Sequence, residues 1–160
     1  MSKRMSLLRN SIYTIMAVAL TLTSCNRQII YSHYEPIDTD GWERHDTICF
    51  MIPYAEEGQY AETLGLRAIG TYPYRNLTLI VNQKKSTQEP NRVDTINCEI
   101  VGEKGILKGS GTSIHQIDIP LTTVHLQAGD TLNVSICHHM SREMLPGITD
   151  IGFTLKKLTE

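Results

Sequence analysis

The sequence predicts an all-β protein: a single antiparallel β-sandwich, with a jelly roll as one form it can take. Three observations lead there. Apolar and polar residues alternate in several short runs, turn-forming residues separate those runs at the close spacing of sandwiches, and no amphipathic helix or internal repeat follows the N-terminal segment.

The elements follow in order. Residues 25–29 read as a tether and residues 30–160 as the domain, whose first strand places Ile30, Tyr34 and Ile37 inward before Thr39-Asp40-Gly41 turns the chain. In DTICFMIPY, Ile48, Phe50 and Ile52 share one face and Pro53 ends the run, as in a half-buried strand. Residues 55–62, AEEGQYAE, are polar and read as loop or one helical turn. Strands follow at 64–69 and 77–82, with GTYPYRN turning between them. After the polar KKSTQEPNR, VDTINCEIVG is extended, and Cys98 falls in phase with Ile96 and Ile100 as a core residue. A Gly-rich connection spans 102–111, and IHQIDIPLTTVHL is extended again. Within it Pro120 marks an edge or a break, because proline cannot donate to a ladder. VHLQAGDTLNVSIC is the clearest local signal and reads as a hairpin. Val124 and Leu126 lead to a turn at Ala128-Gly129-Asp130, and Leu132, Val134 and Ile136 follow. SREMLPGITD reads as a loop, and IGFTLKKL as a closing strand with Ile151, Phe153 and Leu155 inward.

The first 24 residues have another character. Lys3, Arg4 and Arg9 precede an apolar stretch from Ile12 to Leu22, the pattern of a cleaved secretory signal peptide. That stretch is roughly eleven residues, about half of the ~20 that a spanning helix needs. It ends at Leu22-Thr23-Ser24-Cys25, which resembles the lipobox of bacterial lipoproteins, and Cys25 is therefore expected to be lipidated and to begin the mature chain. Each buried CH₂ of an acyl chain contributes about 0.8 kcal/mol, so two or three chains anchor firmly where one does so marginally.

Removal of the signal leaves about 136 residues, enough for one domain with its own core. Fifteen Lys/Arg and seventeen Asp/Glu are interspersed, so the chain has no basic footprint for nucleic acid and no polybasic patch for anionic lipid. Membrane attachment falls to the acyl chains. Cys49, Cys98 and Cys137 then remain, an odd number, so at least one thiol is free. Three unbonded thiols are expected, and a Cys49–Cys137 bond is the alternative, since both alternate out of phase with their apolar neighbours.

Several stretches in one order carry a family resemblance: Trp42, FMIP at 50–53, YPYRNL at 72–77, VDTINCEI before a Gly-rich link with GSG, AGDTLNVSICHHM, and LPGITDIGFTLKK. Together they resemble the GldH-type gliding-motility lipoproteins of Bacteroidota over nearly all of the mature chain. The resemblance implies an envelope lipoprotein associated with the gliding apparatus, in a family whose members also occur in bacteria that do not glide. Surface-exported lipoproteins of that phylum usually carry acidic residues just after the lipidated cysteine. Asn26-Arg27-Gln28-Ile29 has none, which implies a periplasm-facing protein. Asp46-Thr47-Ile48, Asp94-Thr95-Ile96 and Asp130-Thr131-Leu132 resemble the phylum's O-glycosylation motif, making Thr47, Thr95 and Thr131 candidate acceptors. Asp-Thr is also an ordinary way to start a strand.

The chain carries few signs of catalytic chemistry. No nucleophile stands beside a base, GSGTS lacks the pattern of a nucleophile elbow, and no phosphate-binding loop occurs, so a non-catalytic protein without a cofactor is expected. Cys137-His138-His139, with His115 and His125, offers soft ligands for a metal, but adjacent strand residues point to opposite faces and no metal site is expected. Asp38-Thr39-Asp40-Gly41 starts like a calcium loop and lacks its remaining ligands. Loop aromatics are more suggestive, because they offer large rigid area at small entropic cost. Trp42, Tyr72 and Tyr74, with Met144 and Leu145, form the candidate interaction surface; the plainer reading is that they cover sheet edges. Two functions follow: an envelope scaffold with a protein partner, or a glycan-binding module using Trp42. Oligomeric state is not legible.

Overall fold

The computed structural model of the chain describes residues 29–38, 40–53, 56–86 and 88–158, with residues 88 and 89 described by backbone alone. The expected signal peptide, Cys25 and the expected tether residues before Ile29 lie outside them. The strands are β1 (Ile29–Pro36), β2 (Trp42–Glu43), β3 (Ile48–Pro53), β4 (Gly58–Ala68), β5 (Asn76–Lys85), β6 (Gln88–Glu99), β7 (His115–Leu126), β8 (Thr131–His138), β9 (Met144–Leu145) and β10 (Ile148–Lys157). No helix occurs among the described residues.

Two four-stranded antiparallel sheets run β1-β10-β4-β7 and β3-β8-β5-β6, with β2-β9 as a separate two-stranded ribbon. Counting the eight long strands in chain order, the sheets read 1-8-3-6 and 2-7-4-5, the double Greek key of a jelly roll. Successive long strands switch sheets everywhere except between β5 and β6, which pair from Asn76↔Glu99 to Lys85↔Gln88. The hairpin therefore sits at KKSTQEPNR, read from sequence as a plain polar stretch. The stretch read as a hairpin is instead a corner: β7 pairs with β4, whereas β8 pairs with β3 and β5. Alternation carries no information on this point, because strands on facing sheets bury the same face as strands side by side. Asp130 holds the corner. Its carboxylate accepts the Gln127 N–H (2.9 Å) and the Ser86 hydroxyl (3.2 Å), and its own N–H returns to the Gln127 carbonyl.

The core lies between the sheets, where Phe50 and Phe153 stack across the gap with ring centres 6.1 Å apart. Leu77, Leu79 and Val81 of β5 and Leu132, Val134 and Ile136 of β8 fill it, each at most 1 % exposed. Pro120 lies on β7, an edge strand, beside a bulge that shifts the register between Ala61 and Thr63. Edge and break both apply.

Three expectations need correction. Residues 58–62 are not loop: β4 begins at Gly58, with Tyr60 and Glu62 in the same inward phase as Leu64. Glu62 hid the strand, since a carboxylate at a core position reads as solvent-exposed. Ile37 is buried in the core as expected, but the phase of β1 is the reverse of that read for Ile30 and Tyr34. Tyr34 stands opposite Gly152, and its ring lies on the outer face over Gly152 and Gly65, where an added Cβ would come within 2.5 and 2.2 Å of it. Ile30 is 42 % exposed. On an edge strand the inner face is half covered, so an aromatic gains as much over two outer glycines as it would inside. Finally, SREMLPGITD is not plain loop: Met144 and Leu145 pair with Glu43 and Trp42.

Candidate functional site

The loops after β4 and β6 meet at the end of the sandwich opposite Ile29. The Ile69 N–H reaches the Gly147 carbonyl (2.9 Å), and the Tyr72 N–H closes a turn onto Ile69 (3.0 Å). Tyr72 then tucks in, its hydroxyl donating to the Asn76 carbonyl (2.8 Å), and burial raises its phenol pKa so that it stays a neutral donor. Its backbone rests on Gly147, whose φ of +86° and 2.4 Å gap from an added Cβ to the Tyr72 nitrogen admit no side chain. Tyr74 meets Tyr72 edge-on at 6.1 Å and remains 37 % exposed.

Across from it the β6–β7 connection folds back. Val101 bridges Leu107, and the Arg75 carbonyl accepts the N–H groups of Ile100 (2.8 Å) and Val101 (3.0 Å). The Arg75 guanidinium clamps Glu99 Oε1 at 2.8 and 3.1 Å, while Lys108 takes the other oxygen. These hydrogen bonds hold the Glu99 carboxyl below the usual range. A groove of about 470 Å³ results, lined by Pro73, Tyr74, Val101, Glu103, Ile106 and His115 among others. Ile106 is 64 % exposed, and His115 Nδ1 is buried without a hydrogen-bond partner among the described residues.

The residues expected to form an interaction surface divide here. Trp42, Tyr72 and Leu145 are buried, at 0, 6 and 0 % exposure, and cannot contact a partner, while Tyr74 and Met144 (42 %) can. Trp42 is a core residue because its polar tip is satisfied inside. Its indole N–H donates to the Asp46 carbonyl (3.0 Å), and its ring meets His138 edge-on at 5.3 Å. His138 Nδ1 accepts the Met140 N–H (3.4 Å), so Nε2 carries the proton and donates to the Trp42 carbonyl (3.1 Å). Burial lowers the His138 pKa, and Arg44 lowers it further. A buried His138 beside an exposed His139 matches the opposite-face argument, and among the described residues no cluster of His, Cys, Asp or Glu is placed to hold a metal.

Among the described residues Cys49, Cys98 and Cys137 form no disulfide, and they are respectively exposed, buried and half-buried. Burial pushes the Cys98 thiol up to about 11. Thr47 and Thr95 are exposed, whereas Thr131 is half-buried beside the engaged Asp130.

Two further features escaped sequence reasoning. On the outer face of the sheet β3-β8-β5-β6, a hollow of about 460 Å³ is lined by Met51, Asn82, Lys84, Asn91, Asn133 and Ser135 with neighbouring backbone. Between the sheets, Glu62 Oε2 accepts the Gln83 amide (3.0 Å) while Oε1 has no hydrogen-bond partner among the described residues. Burial raises the Glu62 pKa to about 7. Outward polar residues look like ordinary surface in a sequence, and a buried carboxyl has no local signature.

Fold and site together define a jelly-roll domain that carries an aromatic-rimmed groove at one end and a polar hollow on one sheet. The profile of the GldH lipoprotein family matches residues 29–155, essentially the whole jelly roll, and the chain belongs to that family. No curated protein matches it. Among solved structures, Eiger TNF from S. frugiperda is 14 % identical with a TM-score of 0.37, covering 84 % of this chain and 95 % of its own. A protein from Sulfurospirillum deleyianum is 13 % identical with a TM-score of 0.42, covering 81 % and 99 %. The Podospora anserina GH26-CBM35 β-(1,4)-mannanase is 16 % identical with a TM-score of 0.38; the likeness covers 82 % of this chain and 26 % of the mannanase. Likenesses this distant say nothing about activity.

Proposed function

We propose that this GldH-family protein is a lipid-anchored, non-catalytic, periplasm-facing component of the cell envelope, serving as an accessory scaffold of a gliding-motility-related complex. Cys25 carries the acyl chains and precedes Ile29 by four residues, which keeps the start of β1 near the bilayer. The groove of Pro73, Tyr74 and Ile106 is the surface offered to a protein partner.

The observation that carries this reading is the position of the groove. The long strands have eight to twelve residues apart from the six of β3, and at ~3.3 Å per residue they set the groove roughly 30 Å from Ile29. Exposed aromatic and aliphatic area at the end away from an anchor suits contact with a second protein, where a few anchors, tyrosine prominent among them, supply most of the binding energy.

The test combines detergent phase separation with crosslinked purification from membranes. The parent protein is expected in the detergent phase and Cys25→Ser in the aqueous phase. Envelope proteins captured with the parent are expected to be lost from a Tyr74→Ala/Ile106→Ser double variant that melts at the parent temperature. A parent protein found in the aqueous phase rejects the anchor, and capture unchanged by the double variant rejects the groove.

A further inference from the structure

We propose that the hollow on the outer face of the sheet β3-β8-β5-β6 is a binding site for an acidic saccharide, with Asn82, Asn91 and Asn133 meeting its hydroxyls and Lys84 its carboxylate. The proposal stands apart from the partner groove, which lies at the far end of the sandwich.

The ladder builds the site. One row across the sheet runs Met51, Asn133, Lys84, and the next runs Cys49, Ser135, Asn82. Asn91 reaches the same hollow from β6. Outward side chains two residues apart on a strand share a face, so three amides and one ammonium converge on one recess.

None of the side chains of Asn82, Asn91, Asn133 or Lys84 makes a hydrogen bond or ion pair among the described residues. Several cations elsewhere are paired, Arg92 with Asp94, Arg75 and Lys108 with Glu99, Lys157 with Glu56, while Lys104, Arg142 and Lys156, like Lys84, have no carboxylate partner among the described residues. Lys84 is the cation that lines the hollow, and its ammonium has no ion-pair partner among the described residues. Asn82 lines the recess while its Oδ1 is buried without a partner, so turning the amide toward an incoming hydroxyl breaks no existing bond.

Ligand class follows from these groups. A carboxamide presents one donor and one acceptor side by side, the pair that two adjacent hydroxyls of a sugar ring satisfy. An ammonium among amides favours a single anionic substituent over a densely charged ligand. Met51, 70 % exposed at the rim, and Val93, 61 % exposed beside Asn82, supply apolar surface for the C–H face of a ring. The volume lies within the ~300–1,000 Å³ usual for small-molecule sites.

Saturation-transfer NMR on the full chain in detergent micelles tests the site, with sodium glucuronate as probe and glucose as its uncharged comparison. Saturable transfer to glucuronate is expected, stronger than to glucose. Asn133→Ala is expected to weaken it about fivefold, the effect of one or two lost hydrogen bonds. Lys84→Ala is expected to abolish the preference for glucuronate while leaving glucose unchanged. Ile106→Ser, at the far end, leaves both signals intact. Thermal melts of both hollow variants within a few degrees of the parent confirm folding, and either variant alone suffices. Absence of saturable transfer to glucuronate, or transfer untouched by both hollow variants, overturns the proposal. Equal transfer to the two sugars overturns the role of Lys84 and the acidic class.

Discussion

Glu62 makes stability depend on pH in a direction opposite to most carboxylates. It is 2 % exposed, one oxygen accepts the Gln83 amide, and the other faces no partner. Burial raises its pKa from 4.5 to about 7, against the partial offset of the Gln83 hydrogen bond and the Arg92 charge. Because the folded value lies above the unfolded one, the folded state holds its proton longer. Stability from this group is fully present below about pH 4.5 and is lost as pH rises through about 7. At ~1.36 kcal/mol per pH unit the loss is on the order of 3 kcal/mol. Glu62→Gln keeps an acceptor for Gln83 and cannot ionise. Urea denaturation of parent and variant is therefore expected to give equal stabilities near pH 4 and a variant more stable by on the order of 3 kcal/mol at pH 8. Comparing the two proteins at each pH cancels His138, which acts the other way: its lowered pKa costs stability as pH falls below its unfolded value. A difference that is constant with pH, or that grows toward acid, refutes the reasoning.

Other residues yield sharper local outcomes. Trp42→Ala is expected to cost ~3–5 kcal/mol in urea unfolding, the price of a large core cavity, where a surface aromatic would cost little. Gly147→Ala forces a side chain against Tyr72 at positive φ and is expected to cost at least ~2 kcal/mol by the same measurement. Iodoacetamide at pH 8 is expected to label Cys49 first and Cys137 more slowly. Cys98, with its thiol pushed up to about 11, reacts only after unfolding, as peptide mass mapping can follow. Glycopeptide mass spectrometry of the native protein is expected to find modification at Thr47 or Thr95 before Thr131, and three bare threonines reject it.

The sequence told the class of fold through its strongest alternations. Phe50 and Ile52, Leu77, Leu79 and Val81, Leu132, Val134 and Ile136, and Ile151, Phe153 and Leu155 are all buried as their period-two pattern requires. The partnership of strands escaped it. Val124-His125-Leu126 and Thr131 onward look like the two arms of one hairpin, yet they belong to different sheets. A tight turn between two inward-facing runs serves a corner as well as a hairpin, and local alternation is identical in both.

The candidate site was legible in part. YPYRN announced a turn rich in aromatics, and Tyr74 is exposed there. Trp42, one of the five residues of the candidate interaction surface, is instead sealed by Asp46 and His138. Aromatic residues have both an apolar body and a polar tip, and whether the tip finds a buried partner is settled by chain far away in sequence.

The amino-acid order alone thus determined the all-β class and most core positions, because each rests on neighbours along the chain; the secretory start and the thiol for lipidation are proposals read from the same local order. Tertiary structure decided which edges close the sheets, that Glu62 faces Gln83 across the sandwich, and that Asn82, Asn91, Asn133 and Lys84 share one hollow. Those groups are brought together by pairing between strands distant in sequence, and no local period records which strand lies beside which.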